Sequence, residues 1–465
     1  MTTLPVFEPE ASSRVRCAKP PAHWVIKRLK WSLGGVYNGV WGDDPDGLND
    51  IKCVRVADFD RACQSVIAEP STTRAVALGY RDNRVRKRGD LLIEKSGGGD
   101  KQLVGCVVHF DHDFAAVCSN FVARMPLTEQ MSSKYWAYVH ASLYSVRLNF
   151  PAIKQTTGIQ NLDAEAYLNI DAAFPPLCEQ VEIAAFLDRE TARIDSLIAE
   201  KERMLALLDA KREALVSRLV TRGLNPDVAM KQSGQAWLGN IPCHWCVERL
   251  KFHLNGLEQG WSPQCDNSPA DQTEWGVLKV GAVNSWDFDP SENKRLPDDL
   301  EPVLAYRIQP HDVLMSRANT TQLLGRTVFV REIEAKLLLC DKLYRLDVSE
   351  RRLDREFLVA FLRSRPGRFL LEREATGASN SMQNIGQDTV LNSWIVIPPL
   401  AEQREIVARI ESSRNTSSKL KNALESSVEL LRERRAALIT AAVTGQIPIA
   451  AMSTPAGESS CASTA

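Results

Sequence analysis

The chain has 465 residues, 44% of them hydrophobic and 25% charged, with 57 basic against 58 acidic side chains. These fractions fit a water-soluble globular protein of about three domain-sized units. A net charge of −1 neither announces nor excludes a nucleic-acid partner, because binding follows local patches.

The first 17 residues contain no apolar core of signal-peptide length, and no run of about 18 apolar residues occurs, so no membrane span is expected. The 11 cysteines are scattered and odd in number, which fits reduced thiols of a cytoplasmic protein better than a disulfide framework.

Taken in order, residues 1–19 read as a flexible lead-in. A first domain (20–175) opens at Pro20–Trp31. The alternating run Ile51–Asp60 predicts a strand. A polar turn ending in Asp90 precedes three apolar residues and a polar loop, which predicts turn, strand and loop. A strand follows from Leu103, a helix from Lys134, and one last short strand leads up to Phe174.

Pro175-Pro176 then opens a stretch free of Gly and Pro until Gly223. It predicts a helix (176–222) of ~65 Å. Its apolar residues Ile183, Leu187, Ile194, Leu197, Leu208 and Leu215 recur at sums of three and four, the narrow seam of a coiled coil.

After a linker (223–240) the pattern repeats. Pro175 aligns with Pro398 at an offset of 223, which also pairs Glu179 with Glu402, Gln180 with Gln403 and Arg212 with Arg435. Such a period is an internal duplication. The second domain (241–398) opens at Ile241–Phe252, pairing His23 with His244 and Trp24 with Trp245. The second helix (399–445) carries Ile406, Ile410, Leu420, Leu424, Leu431 and Leu438. Residues 446–465 read as a disordered tail. Each repeat is therefore a mixed α/β (α+β) domain with a helical arm. The simplest partner of one arm is the other; the alternative is two helices that each pack on their own domain.

Pro175–Ile183 (PPLxEQxxI), the helix exit Ala214–Asp227 and Ser233–Trp245 together resemble the specificity subunits of type I restriction–modification systems. The resemblance covers nearly the whole chain. It implies two target-recognition domains that each read half of a split double-stranded DNA site. It also implies two long antiparallel coiled-coil helices that separate these domains and dock two methyltransferase subunits, with restriction–translocase subunits beyond them. The chain itself would be non-catalytic and bind no cofactor; S-adenosylmethionine, ATP and Mg would be used by its partners.

Other chemistry is weakly signalled. Cys243 and Cys246 form a CxxC, but Ala22 and Val25 stand at the matching positions. Two further zinc ligands are not evident. Phe174 and Ile397 stand where an amino-methyltransferase motif needs a polar residue before Pro-Pro. Asp90, Glu94 and Lys95 lack the spacing of a metal-dependent nuclease, and Glu94 becomes Ser316 in the second repeat. Asp90 and Asp312 are expected to bond the backbone of turns.

Candidate DNA contacts follow from residue type and alignment. Lys95 and Arg317 share one aligned place after a strand, beside Ser96 and beside Ser316 and Asn319; a cation there reaches a phosphate or a guanine edge. The basic run Arg86, Lys87 and Arg88 suits phosphates or, equally, a solvated turn. Gln160-Asn161 and Gln383-Asn384 carry amides that read adenine or fix turns. Trp24 and Trp245 are expected in the core. Three readings remain: a DNA-specificity subunit, a standalone methyltransferase or nuclease, or a coiled-coil adaptor without DNA.

Overall fold

A computed structural model describes residues 20–81, 84–98, 102–156, 159–265, 267–379 and 382–452. The lead-in 1–19, the centre of the glycine-rich loop (99–101) and the tail beyond 452 lie outside them. The fold is mixed α/β. It divides into two compact units, residues 1–201 with 426–465, and residues 202–425.

The first unit is built on a sheet whose middle strands Val122–Met125, Leu91–Glu94 and Val107–His109 run antiparallel in that order. Alternate apolar residues on these strands close a core against the helix Ser133–Ser145, where Tyr135 and Trp136 are fully buried. A second sheet pairs Asp50–Val54 with Ala116–Cys118 in parallel. A third, small sheet joins Ser96–Gly97, Ile159–Leu162 and Ile153–Thr156. A two-stranded ribbon, Val25–Arg28 with Asp171–Phe174, leads into the first long helix.

The second unit repeats this plan. Leu343–Val348, Val313–Ser316 and Thr327–Phe329 form its central sheet. Trp275–Leu278 lies parallel to Lys336–Leu338. Ala318–Asn319, Met382–Asn384 and Thr376–Ser379 make its small sheet, and Cys246–Arg249 with Trp394–Ile397 makes its ribbon.

Two local expectations change. The segments read as one last strand are each a short helix followed by a strand: Ala164–Leu168 then Asp171–Phe174, and Gln387–Leu391 then Trp394–Ile397. Asp163 supplies the missing helix signal, accepting from the amides of Glu165 and Ala166. Where the repeat predicts one helix in the second domain, matching the one from Lys134, there are two, Arg355–Arg363 and Arg365–Arg373. Pro366 cannot continue a helix, and Ser364 caps the restart by accepting from the amide of Gly367.

The long helices are Leu177–Arg222 and Leu400–Val443. Each ends on a glycine in the left-handed region, Gly223 at φ +74° and Gly445 at φ +75°. Within each unit the segments of the two helices run antiparallel. In the first, Asp195 pairs with Arg435 at 2.9 Å while Ile183 and Leu187 share a core with Ile439 and Val443. In the second, Asp209 pairs with Lys421 at 3.4 Å while Val216, Leu219 and Val220 share a core with Ile406 and Ile410. Trp286 packs under Arg212, Arg363 and Arg414 there, 5.8, 5.1 and 5.0 Å from its ring.

The shielded line of the first helix passes through Ile194, Ile198, Leu205, Leu208, Arg212 and Leu215, and that of the second through Ile410, Arg414, Ser417, Lys421, Leu424, Val428, Leu431 and Leu438. Leu197 (47% exposed) and Leu420 (48% exposed) stand off this line. The strict three–four alternation selects their neighbours Ile198 and Lys421 instead.

In the described tail, Ile449–Met452 is helical and Met452 is buried. Among the described residues no helix is long and apolar enough to cross a membrane.

Candidate nucleic-acid interface

Lys95 is the junction between the central and small sheets of the first unit. Its amide donates to the Phe121 carbonyl at 2.7 Å, and its own carbonyl accepts from the Leu162 amide at 2.7 Å. Arg317 has the same two links in the second unit, to the Lys342 carbonyl at 2.9 Å and from the Ile385 amide at 2.8 Å. The aligned cation therefore leaves the same backbone position in both repeats.

The side chains then differ. Lys95 Nζ donates to Asn38 Oδ1 at 2.7 Å, and partial burial pulls its pKa below the ordinary lysine value. Arg317 donates to the Asp341 carbonyl at 3.3 Å and lies 5.8 Å from the Tyr344 ring.

Around the first cation, Ser96 Oγ donates to Asn161 Oδ1 at 2.6 Å, and Asn161 is exposed. Around the second, Asn319 Nδ2 donates to Asn284 Oδ1 at 3.1 Å. Gln383 and Asn384 sit half-buried in register with Asn319 and Ala318. These amides and cations offer the donors and acceptors that read base edges and phosphates.

Other candidates lie inside the fold. Gln160 is buried and accepts from the Val104 amide at 3.2 Å, so it secures backbone. Ser316 is buried, donates to the Leu323 carbonyl and accepts from the Arg326 amide. Arg86 is only 3% exposed and donates to Cys118 Sγ. Its amide bonds the Ala116 carbonyl, which draws it onto that strand, and burial pushes its pKa below the usual arginine value. Of the basic run, Lys87 is exposed. Arg88 is exposed but pairs with Asp111 at 2.6 Å and Asp113 at 3.3 Å, which reduces its pull on a phosphate.

The sequence reading missed four positions beside the cations. At an offset of 221, Asn38 matches Gln259 and Phe121 matches Lys342; Phe121 and Lys342 are exposed. The adjoining glycines explain the shared geometry. A Cβ on Gly39 would meet the Ser119 carbonyl at 2.0 Å, and one on Gly260 the Leu339 carbonyl at 2.1 Å. The duplicate alignment, extended through these glycines, would have found the amide pair.

Asp90 and Asp312 bond turn amides, accepting from Lys87 at 2.6 Å and Gln309 at 2.8 Å. Asp90 also pairs with Arg124 and Asp312 with Arg345, at 2.7 and 3.5 Å. Glu94 is buried against Arg61 at 2.6 Å, and desolvation raises its pKa. No three metal-ligating side chains gather among the described residues.

At the opposite end of each domain the repeated motif has a direct meaning. Trp24 Nε1 donates to Glu179 at 2.7 Å and Trp245 Nε1 to Glu402 at 3.0 Å, with His23 and His244 beside the same carboxylates at 2.7 and 2.8 Å. Gln180, buried, donates to the Pro175 carbonyl and accepts from the Ser132 amide. Gln403 does the same with Pro398 and Asp354. Ser132 and Asp354 are the N-caps of the domain helices, so one glutamine ties the arm to the helix beside it.

No family model matches the chain. It is 29% identical over 204 residues to the EcoEI specificity subunit of Escherichia coli, a match spanning 44% of this chain and 34% of that subunit. It is 26% identical over 330 residues to the EcoKI specificity subunit of Escherichia coli strain K12, 69% of this chain and 67% of that one. The chain thus spans about a third of the one relative and two thirds of the other. A solved chain from a study of complex assembly and conformational transition in a type I R-M system shares the fold at a TM-score of 0.67 and 17% identity, over 92% of this chain and 100% of that chain. By these sequence matches the chain is similar to the specificity subunits of type I restriction enzymes, and it shares the fold of the solved chain.

Proposed function

We propose that the chain is the DNA-reading subunit of a type I restriction–modification complex. Residues 20–175 and 241–398 each read one half of a bipartite double-stranded site. The chain performs no catalysis. It directs two methyltransferase subunits, and through them restriction–translocase subunits, to that site in the cytoplasm. S-adenosylmethionine, ATP and Mg are used by those partners.

The observation that carries this reading is the shared placement of Lys95 and Arg317 in unlike surroundings. The backbone links are the same in both repeats. The neighbouring side chains change from Ser96, Gly97 and Phe121 to Ala318, Asn319 and Lys342. A common frame with altered contacts is what two readers of different base sequences require. The named relatives are specificity subunits, which favours the same reading.

The test is base-modification sequencing of host DNA with and without the gene. Loss of methylation at one split motif on deletion is the expected result. An unchanged pattern when the chain is co-expressed with its methyltransferase subunit overturns the proposal.

A further inference from the structure

The necks beside the two candidate cations are of unequal length. Eight residues separate Glu94 from Leu103, and six separate the matching Ser316 from Leu323. Different chemistry ties them. In the second unit Ser316 Oγ donates straight to the Leu323 carbonyl at 2.8 Å. In the first, the matching Leu103 carbonyl accepts from Tyr144 Oη at 2.7 Å.

That hydroxyl belongs to a relay that ends on Glu94. Arg61 Nη1 donates to Tyr144 Oη at 3.3 Å, and Arg61 Nη2 pairs with Glu94 Oε2 at 2.6 Å. The Gln102 side-chain amide lies against the same guanidinium, its oxygen facing the cation. Arg61 rises from the turn after Phe59–Asp60, where Asp60 accepts from the Ala62 and Cys63 amides at 3.0 and 2.9 Å. The longer neck is thus closed by three side chains where one hydroxyl closes the shorter.

An arginine braces the second loop as well, from an unrelated place. Arg368, on the helix Arg365–Arg373 and only 8% exposed, donates to the Leu324 carbonyl at 3.0 Å and the Thr321 carbonyl at 3.2 Å, and it pairs with Glu372. Arg61 precedes its loop in the chain; Arg368 follows its own. An ion pair taken out of water is seldom what makes a fold stable, and Ser316 shows that this strand does without one. What the two arginines share is the loop each reaches. Lys95 follows Glu94 directly, and Arg317 follows Ser316. A planar guanidinium holds two separate acceptors in one fixed geometry.

We infer that Arg61 and Arg368 are positioning residues, each bracing the loop of one reader so that its cation, Lys95 or Arg317, leaves the sheet in the direction its half-site requires. Neither arginine reaches DNA itself. The divergence of the two readers therefore extends below the exposed tip, to a shielded brace matched to the length of the loop above it.

The inference rests on the proposed function for its probe, a duplex carrying the split motif found by modification sequencing. The complex of the chain with its methyltransferase subunit is titrated with that duplex and with duplexes altered in either half. Arg61→Lys and Arg368→Lys keep the charge, and Tyr144→Phe keeps the ring, so the fold stays in place, as an unchanged melting temperature would check. Arg61→Lys and Tyr144→Phe should each lower discrimination by roughly 10-fold in the half that Lys95→Ala affects, leaving the other half untouched. Arg368→Lys should do the same in the half that Arg317→Ala affects. A chain merely loosened would lose affinity for every duplex alike.

In a double-mutant cycle, Arg61→Lys should add nothing to Lys95→Ala, since both act through one contact. Additive losses make Arg61 a DNA contact in its own right and overturn the inference, as do unchanged discrimination or a loss shared by both halves. In each of these cases the wild-type complex still separates intact from altered duplexes, so the DNA-reading function stands. A wild-type complex that separates none of them overturns that function and this inference together.

Discussion

At the base of each domain, Trp24 and Trp245 donate to Glu179 and Glu402, and Gln180 and Gln403 each accept from a helix-cap amide and donate to the carbonyl of the first proline of the Pro-Pro pair. At the tip, Lys95 reaches an asparagine side chain while Arg317 reaches a backbone carbonyl under a tyrosine ring. The base repeats in identity as well as geometry; the tip repeats in geometry only. The base is a buried polar network, in which one lost partner strands the others. The tip is an exposed set of side chains that the backbone tolerates in many forms. Duplication followed by divergence therefore alters the second and leaves the first.

The sharpest challenge to this contrast is at the base. Trp24→Ala and Trp245→Ala each remove a buried ring and one of a carboxylate's two side-chain partners, and should cost ~3–5 kcal/mol in denaturant unfolding. Unequal losses would show that the two networks are not equivalent.

Next is acid, which should separate the repeats. His140 is fully buried against Tyr167 at 2.6 Å, and burial pulls its pKa down to about 3. The second repeat has Leu362 and Val390 in those places. Because the folded value is depressed, the unfolded chain takes up a proton below pH ~6.5 that the fold refuses. Stability is lost as pH falls from there toward 3, by up to ~3 kcal/mol at pH 4. Unfolding of wild-type and His140→Leu chains across that window should show the variant without this added slope.

A smaller loss, ~2 kcal/mol, is expected for Gln403→Leu, which leaves the Asp354 amide and Pro398 carbonyl unpaired. Gln180→Leu should match it, and equilibrium unfolding decides.

At the tip, Lys95→Ala and Arg317→Ala should leave melting temperatures alone. Each should weaken duplex binding by ~1–3 kcal/mol through one half-site only, read by titrating duplexes altered in either half. Smallest of all, Leu197→Ala and Leu420→Ala should change stability by no more than ~0.5 kcal/mol. A large loss would place both leucines in the seam after all.

Much of the frame was legible in the residues. Gly- and Pro-free stretches marked both arms, and the fixed offset exposed the duplication. Asp90 and Asp312 bond turns as their position suggested. The site was less legible. Arg86 looked like a surface cation and is buried; Gln160, read as either an adenine reader or a fixer of backbone, holds backbone. Asn38 and Gln259 went unseen because they lie over 50 residues from the cations they adjoin.

The sequence by itself determined what depends on neighbours along the chain: helix extent, turn chemistry and the repeat. These follow from local propensities and from comparing one half with the other. Only the tertiary structure decided which polar side chains face solvent, which leucines stand off the seam, and that each arm's glutamate and glutamine grip a distant tryptophan and helix cap. Burial and hydrogen-bond partnership are set by residues brought together from far apart, and linear spacing carries no record of them.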